Sequence, residues 1–441
     1  MDGSESICTV AGMKSPDLAA AREMCAYIDA STSPYHACSE TAKRLEAVGF
    51  QRLSELDAWD QSAGSWYVIR GGSLVAWTQP EGSAPTQGFR ILGAHTDSPN
   101  LRIKPRPDTG SAGWRQLGVE VYGGVLLNSW LDRDLGLSGR VWLRSEKAPT
   151  PHMFKISRPV LRIPQLAIHL HRELNTEGLK LNKQRHMVPV WGMKDGSEAN
   201  FKEMLAAEIG VNAPDILSWE AMVHDTTPSA VTGWGEEFIS APRLDNLCSC
   251  YCSMQALIES HEDGMQREFI PVLCMFDHEE VGSQSRAGAD GPILRDLLER
   301  SVLSRGGSRE DYLRALADSV CVSADMAHAT HPNYTEKHDP DHTLYFNRGP
   351  VIKLNANQRY ASEGESEAIF QMACEKAQVP YQKWVMRTDL ACGSTIGPIT
   401  SSQLGIPTVD VGNPQLAMHS AREMCGSHDP GYMVQAMKAI L

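Results

Sequence analysis

Four apolar runs in this chain of 441 residues end in the same way. Arg90-Ile-Leu-Gly-Ala runs into His95-Thr96-Asp97, and Ile270-Pro-Val-Leu-Cys-Met-Phe runs into Asp277-His278-Glu279-Glu280. Val320-Cys-Val-Ser-Ala runs into Asp325, and Ile406-Pro-Thr-Val-Asp-Val continues through a short turn to His419. A further acid, Asp245, stands in Ala241-Pro-Arg-Leu-Asp-Asn246, just ahead of a helical stretch. Short apolar strands alternating with helices build a layered α/β sheet. Open sheets of that kind place their ligand sites outside the carboxyl ends of the strands. Each of these polar groups falls at or just past such an end, so the pattern predicts one pocket shared by all five segments.

The rest of the chain organises around that sheet. Near the N-terminus, Ser15-Pro16 and Ser33-Pro34 each set a cap residue before a proline at the first helical position, which predicts two helices. The second runs from Pro34 to Val48 and stops at Gly49. Short β-like runs follow at 65–70, 73–78 and 89–95. From about Pro99 to Thr232 the pattern changes to β-like pieces at 117–122, 139–144 and 166–170, with frequent Gly, Pro and Trp and one helix from Asn200 to Ile209. From Glu236 onward strands and helices alternate again. The reading is one α/β domain split in sequence, 1–98 and 236–441, with a second, β-rich domain, 99–235, inserted into it.

Composition excludes some classes of function. The net charge is −13 and no Lys/Arg-rich run is present, which argues against nucleic acid as a partner. The longest apolar run is far shorter than the roughly 20 residues a membrane span needs. No basic start followed by an apolar stretch marks a secretory signal. The 11 cysteines are scattered and odd in number, as expected of reduced thiols in a cytoplasmic protein. Cys248, Cys250 and Cys252 have a spacing that suggests metal, but they sit in a helical segment. There Cys248 and Cys252 share a face and Cys250 points away, as small buried side chains would.

The residue types narrow the chemistry of the pocket. Two like charges 4 Å apart repel by about 4 kcal/mol at an effective dielectric near 20. Gathering Asp97, Asp245, Glu279, Glu280 and Asp325 therefore calls for cations. Two histidines with several carboxylates suit zinc in a two-ion site with one bridging carboxylate. Cobalt or manganese also suit such ligands. His95 and Asp97, two apart on a strand, face one side. Asp97 is thus placed to accept a hydrogen bond from the second nitrogen of His95 and fix its tautomer. Of the neighbours Glu279 and Glu280, one should hold metal and the other should take a proton from metal-bound water. Spacing alone leaves open which does which.

These segments resemble the aspartyl aminopeptidases, a family of two-metal exopeptidases. The resemblance lies in Gly93-Ala-His-Thr-Asp-Ser-Pro-Asn100, Arg162-Ile-Pro-Gln-Leu-Ala-Ile-His-Leu170, Ala241–Asn246 and Asp277-His-Glu-Glu-Val-Gly-Ser283. It continues through Ser323-Ala-Asp-Met-Ala-His-Ala329, His331-Pro-Asn-Tyr334, Gly349-Pro-Val-Ile-Lys353, Cys392-Gly-Ser-Thr-Ile-Gly-Pro398 and Pro414-Gln-Leu-Ala-Met-His-Ser420. It implies a mixed-sheet, three-layer α/β catalytic domain with an inserted β-rich dimerisation domain. It implies two Zn2+ per subunit, one held by His95, Asp245 and Asp325, the other by Asp245, Glu280 and His419, with Asp245 bridging. Glu279 is implied as the general base and Asp97 as the partner of His95. The substrates implied are peptides with an N-terminal aspartate or glutamate, in a homo-oligomer assembled as a tetrahedral dodecamer. His169, in the inserted domain, is implied to reach a neighbouring subunit's active site. Lys353 is the cation expected to meet the acidic side chain, with Lys337, Arg359 and Arg387 as alternatives. His331, Met418, Gly393 and Ser394 complete the expected substrate contacts.

Blander readings fit the remaining candidates. His36, His152, His186, His224, His261 and His428 carry no motif and read as surface or satisfied histidines. His328 reads equally as support for Asp325 or for the core. His171 would share the face of His169 on a strand. The tryptophans of the insertion read as core and subunit contacts. Two other functions stay open at this stage. A non-catalytic relative would lack a ligand or the base, and all are present. A two-metal enzyme with apolar preference would lack the pocket cation.

Overall fold

The strand Phe89–His95 lies at the centre of the molecule, with Leu92 and Ala94 facing one layer of helices and Phe89 and Ile91 facing another. The computed structural model describes residues 18–59, 63–194, 200–264 and 268–441. Phe89–His95 pairs in parallel with Ile270–Phe276 on one side and Val320–Ala324 on the other. Val320–Ala324 pairs in parallel with Thr408–Gly412. These four strands, buried on both faces and near-continuously apolar, form the middle of a nine-stranded mixed sheet. Antiparallel neighbours, Ser73–Gln79 and Val351–Leu354, flank them.

Strand alternation sorts the core into two layers. On one face Leu92, Leu273, Met275, Val322 and Val409 pack with Met24, Tyr27, Leu45, Leu247, Phe370 and Met433. These come from the helices Ala19–Ala30, Pro34–Ala47, Leu244–Glu262, Gly364–Ala377 and Asp429–Ile440. On the other face Ile91, Val272, Cys274 and Cys321 meet the helices Ile293–Ser304, Arg309–Ala317 and Ile396–Leu404. The result is a mixed α/β architecture in three layers.

Residues 100–225 build a second sheet of six antiparallel strands, with a core of its own that includes Leu101, Leu117, Leu137, Phe154, Phe201 and Leu205. Its helix Phe201–Ile209 opens on a capping box of Asn200 and Glu203 and closes on Gly210 in the left-handed region. A third, five-stranded sheet joins Phe238–Ala241, Pro414–Leu416 and Glu423–Gly426 beside the central strands.

Local sequence reading meets the structure unevenly. Ser33 caps Pro34–Ala47 by accepting the His36 N–H, as its Ser-Pro step predicts. The Ser15-Pro16 step lies outside the described residues. The β-like run 166–170 is not a strand. Ile168–Leu170 is a single 3-10 turn, and Leu166, Ile168 and Leu170 are exposed. Alternation of apolar residues is not sufficient for a strand, since a ladder partner must also be in reach. His169 and His171 therefore do not share a strand face. The three clustered cysteines lie buried in Leu244–Glu262, with Cys248 and Cys252 near Asn413 and the Cys250 thiol donating to the His95 carbonyl. His224, read as surface or satisfied, is buried with an Nδ1 that finds no hydrogen-bond partner, and burial keeps its pKa well down.

Candidate metal centre

The carboxyl ends of the central parallel strands open on one pocket. His95 is the last residue of its strand. Asp277 to Glu280 follow Ile270–Phe276, and Asp325 follows Val320–Ala324. His278 takes a left-handed backbone (φ 66°), which turns the chain so that Glu279 and Glu280 enter a short 3-10 turn. His419, also left-handed (φ 66°), arrives after the strand Pro414–Leu416. Asp245 sits at the kinked start of Leu244–Glu262, and the Asp245–Asn246 peptide is cis.

The side chains converge with a regular spacing. His95 Nε2 lies 3.3 Å from Asp245 Oδ1 and 3.4 Å from Asp325 Oδ1. His419 Nε2 lies 3.5 Å from Asp245 Oδ2 and 3.4 Å from Glu280 Oε2. The two oxygens of Asp245 thus face different imidazoles. Charge-assisted N–H···O contacts close to about 2.7–2.9 Å, so these groups are held apart. Ligands about 2.0–2.2 Å from a tetrahedral ion stand roughly 3.4 Å from one another. Glu279 Oε2 stands farther off, 4.0 Å from His95 Nε2. Asp245 Oδ1, Glu280 Oε1 and Asp325 Oδ1 are buried and have no hydrogen-bond partner. A single ion could also draw on His95, Asp245 and Glu280, whose ligand atoms all lie within 4.8 Å of one another. Nitrogen and carboxylate donors, ion-sized gaps and orphaned oxygens all fit bound divalent cations.

The surroundings hold these groups in place. His95 Nδ1 lies 3.0 Å from the main-chain oxygen of Asp97 and 3.4 Å from its Oδ1. The Asp97 carboxylate accepts the Glu279 N–H on Oδ1, and the Glu280 N–H and the Tyr122 hydroxyl on Oδ2. It is the brace on which the two-glutamate turn rests. Glu423, also buried, accepts the Asp245 N–H at 3.0 Å and the His419 N–H at 2.7 Å. One carboxylate therefore fixes the main chain of two candidate ligands. His419 Nδ1 donates to the Gly124 carbonyl at 3.0 Å, which leaves Nε2 turned toward the acids.

Electrostatics follow from burial and crowding. Burial pushes Glu279 up to about 8, opposed by His95 and aided by Asp325, Asp97 and Asp245. Burial, together with the Asp245 charge, raises Glu280 well above its ordinary value and Glu423 to about 8. Asp245 goes the other way. Burial opposes its charge, but the His419 and His95 imidazoles beside it outweigh burial and hold its carboxyl well below the usual range. Burial lowers and the facing acids raise the two histidines, and the acids prevail, bringing His419 to about 9. Bound cations reverse the local logic and draw crowded carboxylates back toward their ionised form.

The expected substrate residues divide. His331 and Met418 line a cavity of about 400 Å³ with His328, Lys337, His338 and Trp384. Lys353 is fully buried. Its Nζ donates to the main-chain oxygens of Asp325 and Met326 at 2.9 and 3.4 Å and lies 3.6 Å from Asp325 Oδ2. Gly393 and Ser394 are exposed, ahead of the helix Ile396–Leu404, and the Ser394 hydroxyl donates to the Arg359 carbonyl. His169 is exposed on its 3-10 turn. Glu423, Tyr122 and Gly124 escape sequence reading. The pair Gly123-Gly124 directly after a strand, and an acid four residues past His419, are the signals that could have found them.

A family model described as aminopeptidase I zinc metalloprotease (M18) matches residues 27–440. A probable M18 family aminopeptidase 2 of Streptomyces coelicolor is 51% identical over 420 residues, covering 95% of this chain and 96% of that protein. Its namesake in Mycobacterium tuberculosis is 49% identical over 427 residues, covering 96% and 98%. Among solved structures, a chain of the Ape4 and Nbr1 complex superposes with a TM-score of 0.91 at 37% identity, covering 95% of this chain and 85% of that one. The mApe1 dodecamer of S. cerevisiae gives 0.83 at 27% identity, with 96% of each chain covered.

Replacing Glu423 with Gln tests the brace. An amide offers one acceptor where two N–H groups need one each, so one buried donor is left unpaired. Glu423→Gln is expected to destabilise the fold by about 1–3 kcal/mol, read from urea denaturation. An unchanged midpoint would mean that the two loops need no such anchor.

Proposed function

This chain belongs to the M18 aminopeptidase I family of zinc metalloproteases, and we propose that it removes aspartate or glutamate from the N-terminus of peptides with two metal ions per subunit. The observation that carries the two-ion reading is the set of 3.3–3.5 Å gaps that place one oxygen of Asp245 against each histidine. In this reading His95, Asp245 and Asp325 would hold one ion, and Glu280 and His419, again with Asp245, would hold the other.

Bound there, divalent zinc, or cobalt or manganese, polarises the scissile carbonyl and lowers the pKa of the attacking water. Glu279, the acid standing off from the ligand gaps, takes the proton from that water and delivers it to the leaving amine nitrogen. Asp97 keeps Glu279 and Glu280 at their posts through their N–H groups and fixes the ring of His95. Glu279→Gln is expected to keep its metal and lower kcat by about 10²–10⁴. Metal analysis beside steady-state kinetics checks this, and unchanged turnover would exclude Glu279 as the base.

An acidic side chain needs a cation where water is scarce. Lys353 supplies it in this reading, and the cavity lined by His331, Lys337 and Met418 receives the residue to be removed. Gly393 and Ser394 complete the contacts. One observation favours a different assignment: the Lys353 ammonium already serves the carbonyls behind Asp325, whereas Lys337 lines the cavity itself. A panel of aspartyl, glutamyl, leucyl and lysyl substrates decides. The acidic pair should be cleaved best, and Lys353→Met should cost about 10–100-fold in kcat/KM on them relative to leucyl. Equal loss on all four would leave Lys353 a support for Asp325. Best activity on leucyl would remove the acidic preference.

The same proposal divides the chain into a catalytic domain, 1–98 and 236–441, and an inserted dimerisation domain, 99–235. It takes the protein as a cytoplasmic homo-oligomer, a tetrahedral dodecamer. The described cysteines, all free thiols, and the dodecameric structural neighbour support that reading. No helix of the described residues is long and apolar enough to cross a membrane. His169 then acts in a neighbouring subunit's site. His169→Ala is expected to lower kcat at least about tenfold while size-exclusion chromatography still reports the intact oligomer. Normal kinetics in that oligomer would end the cross-subunit role.

A further inference from the structure

The stretch from Tyr122 to Ser129 leaves the antiparallel sheet and passes directly over one half of the metal centre. Its Gly124 carbonyl accepts from His419 Nδ1 at 3.0 Å. Its Leu126 N–H donates to the His419 carbonyl at 3.1 Å, and its Ser129 hydroxyl accepts the Ala421 N–H at 2.9 Å. His419 is thus held at its ring, at its main chain and two residues on. The same stretch presses on Glu280. A Cβ on Gly123 (φ 74°) would stand 3.1 Å from Glu280 Cβ and 3.3 Å from its carbonyl oxygen. A Cβ on Gly124 would stand 3.0 Å from His419 Nδ1. Tyr122 joins from the strand end, since its hydroxyl shares Asp97 Oδ2 with the Glu280 N–H.

We propose that residues 123–129 are a positioning element for the ligand pair Glu280 and His419. Its two glycines matter because a side chain at either position would push Glu280 or the His419 ring aside by a few tenths of an ångström. The inference rests on the two-ion reading above and adds to it an asymmetry. His95, Asp245 and Asp325 are held by the central sheet and its loops. The Glu280 and His419 half is closed by a segment of the other sheet. The ion on that side depends on how the two sheets are seated.

Gly124 makes a clean test because its φ lies outside the left-handed region, so alanine strains no backbone there. Its methyl group would meet only the His419 ring. The full-length protein is stripped with a chelator and titrated with zinc by calorimetry, with zinc per chain measured after dialysis. The unsubstituted protein should take up two equivalents. Gly124→Ala should keep one as tightly bound and hold the second about 10–100-fold more weakly. Ser129→Ala removes a hydroxyl that accepts the Ala421 N–H and donates to the Leu126 carbonyl, and should weaken the same ion about threefold, which keeps the test open if the first variant misfolds. Gly192→Ala, whose methyl group would lie 3.8 Å from Arg115 Cδ, should match the unsubstituted protein. Folded variants that bind both ions as tightly as the parent, or lose both alike, would overturn the inference. A parent that takes up a single equivalent would overturn the two-ion reading instead.

Discussion

Five carboxylates, those of Asp97, Asp245, Glu279, Glu280 and Asp325, share a pocket with little water. Each pair within 4 Å repels by about 4 kcal/mol at an effective dielectric near 20. Protonation would relieve this, and Glu279 and Glu280 are pulled upward first by burial and then by the neighbouring acids. The fold instead assigns each acid a different neighbourhood. Asp97 is neutralised by N–H and O–H donors, which count for more in a dry site than in water. Asp245 stands between two imidazoles. Glu280 and Asp325 each keep one oxygen without any hydrogen-bond partner. A buried oxygen left unpaired is unfavourable by roughly 1–3 kcal/mol, more when charged. A fold that retains three of them around the same few ångströms is organised around something positive.

That requirement explains how much of the molecule was readable from the chain alone. Strands covered on both faces are mostly apolar, so His, Asp and Glu gathered just past the end of such a run stand out. The ends of parallel strands lie on one edge. His95, Glu279, Glu280 and Asp325 could therefore be grouped before any coordinates, and they do meet. Asp245 was legible for a different reason, as an acid at a helix start. The supports were not legible. Glu423 acts through both carboxylate oxygens on two main-chain N–H groups far apart in sequence, and no pattern of residue types encodes a main-chain partner. Tyr122 and Gly124 act across two sheets, and their register depends on tertiary seating rather than on local periodicity. The alternating run 166–170 failed as a strand because periodicity describes a surface, while a strand also needs a neighbour to pair with.

The two sheets divide the labour. The central parallel sheet is rigid by construction, packed on both faces, and it carries His95, Asp325 and the turn of Glu279 and Glu280 on its edge. The antiparallel sheet has a separate core and reaches the pocket through the end of one strand and the loop after it. Further contacts join the antiparallel sheet to the start of the helix Pro34–Ala47. Tyr35 donates to Glu220, Ser138 donates to the Thr32 carbonyl, and Arg140 pairs with Glu220 beneath the Tyr35 ring. A shift of a few tenths of an ångström between sheets would be absorbed by solvent at the rim. At the His419 ring it would strain the hydrogen bond to the Gly124 carbonyl.

The segment carrying His169 obeys a different constraint. Leu166, Ile168 and Leu170 are 54%, 43% and 75% exposed, on and just ahead of a turn that pairs with no strand among the described residues. Single exposed apolar residues are ordinary, but a row of them beside a histidine favours cover from another surface. The hydrophobic term for burying them is on the order of 1.5–3 kcal/mol each. A second copy of the chain would offer such cover, and in the proposed oligomer it would also fix His169 in place. On that proposal the exposed row and the histidine are one feature, an arm that the assembly would order.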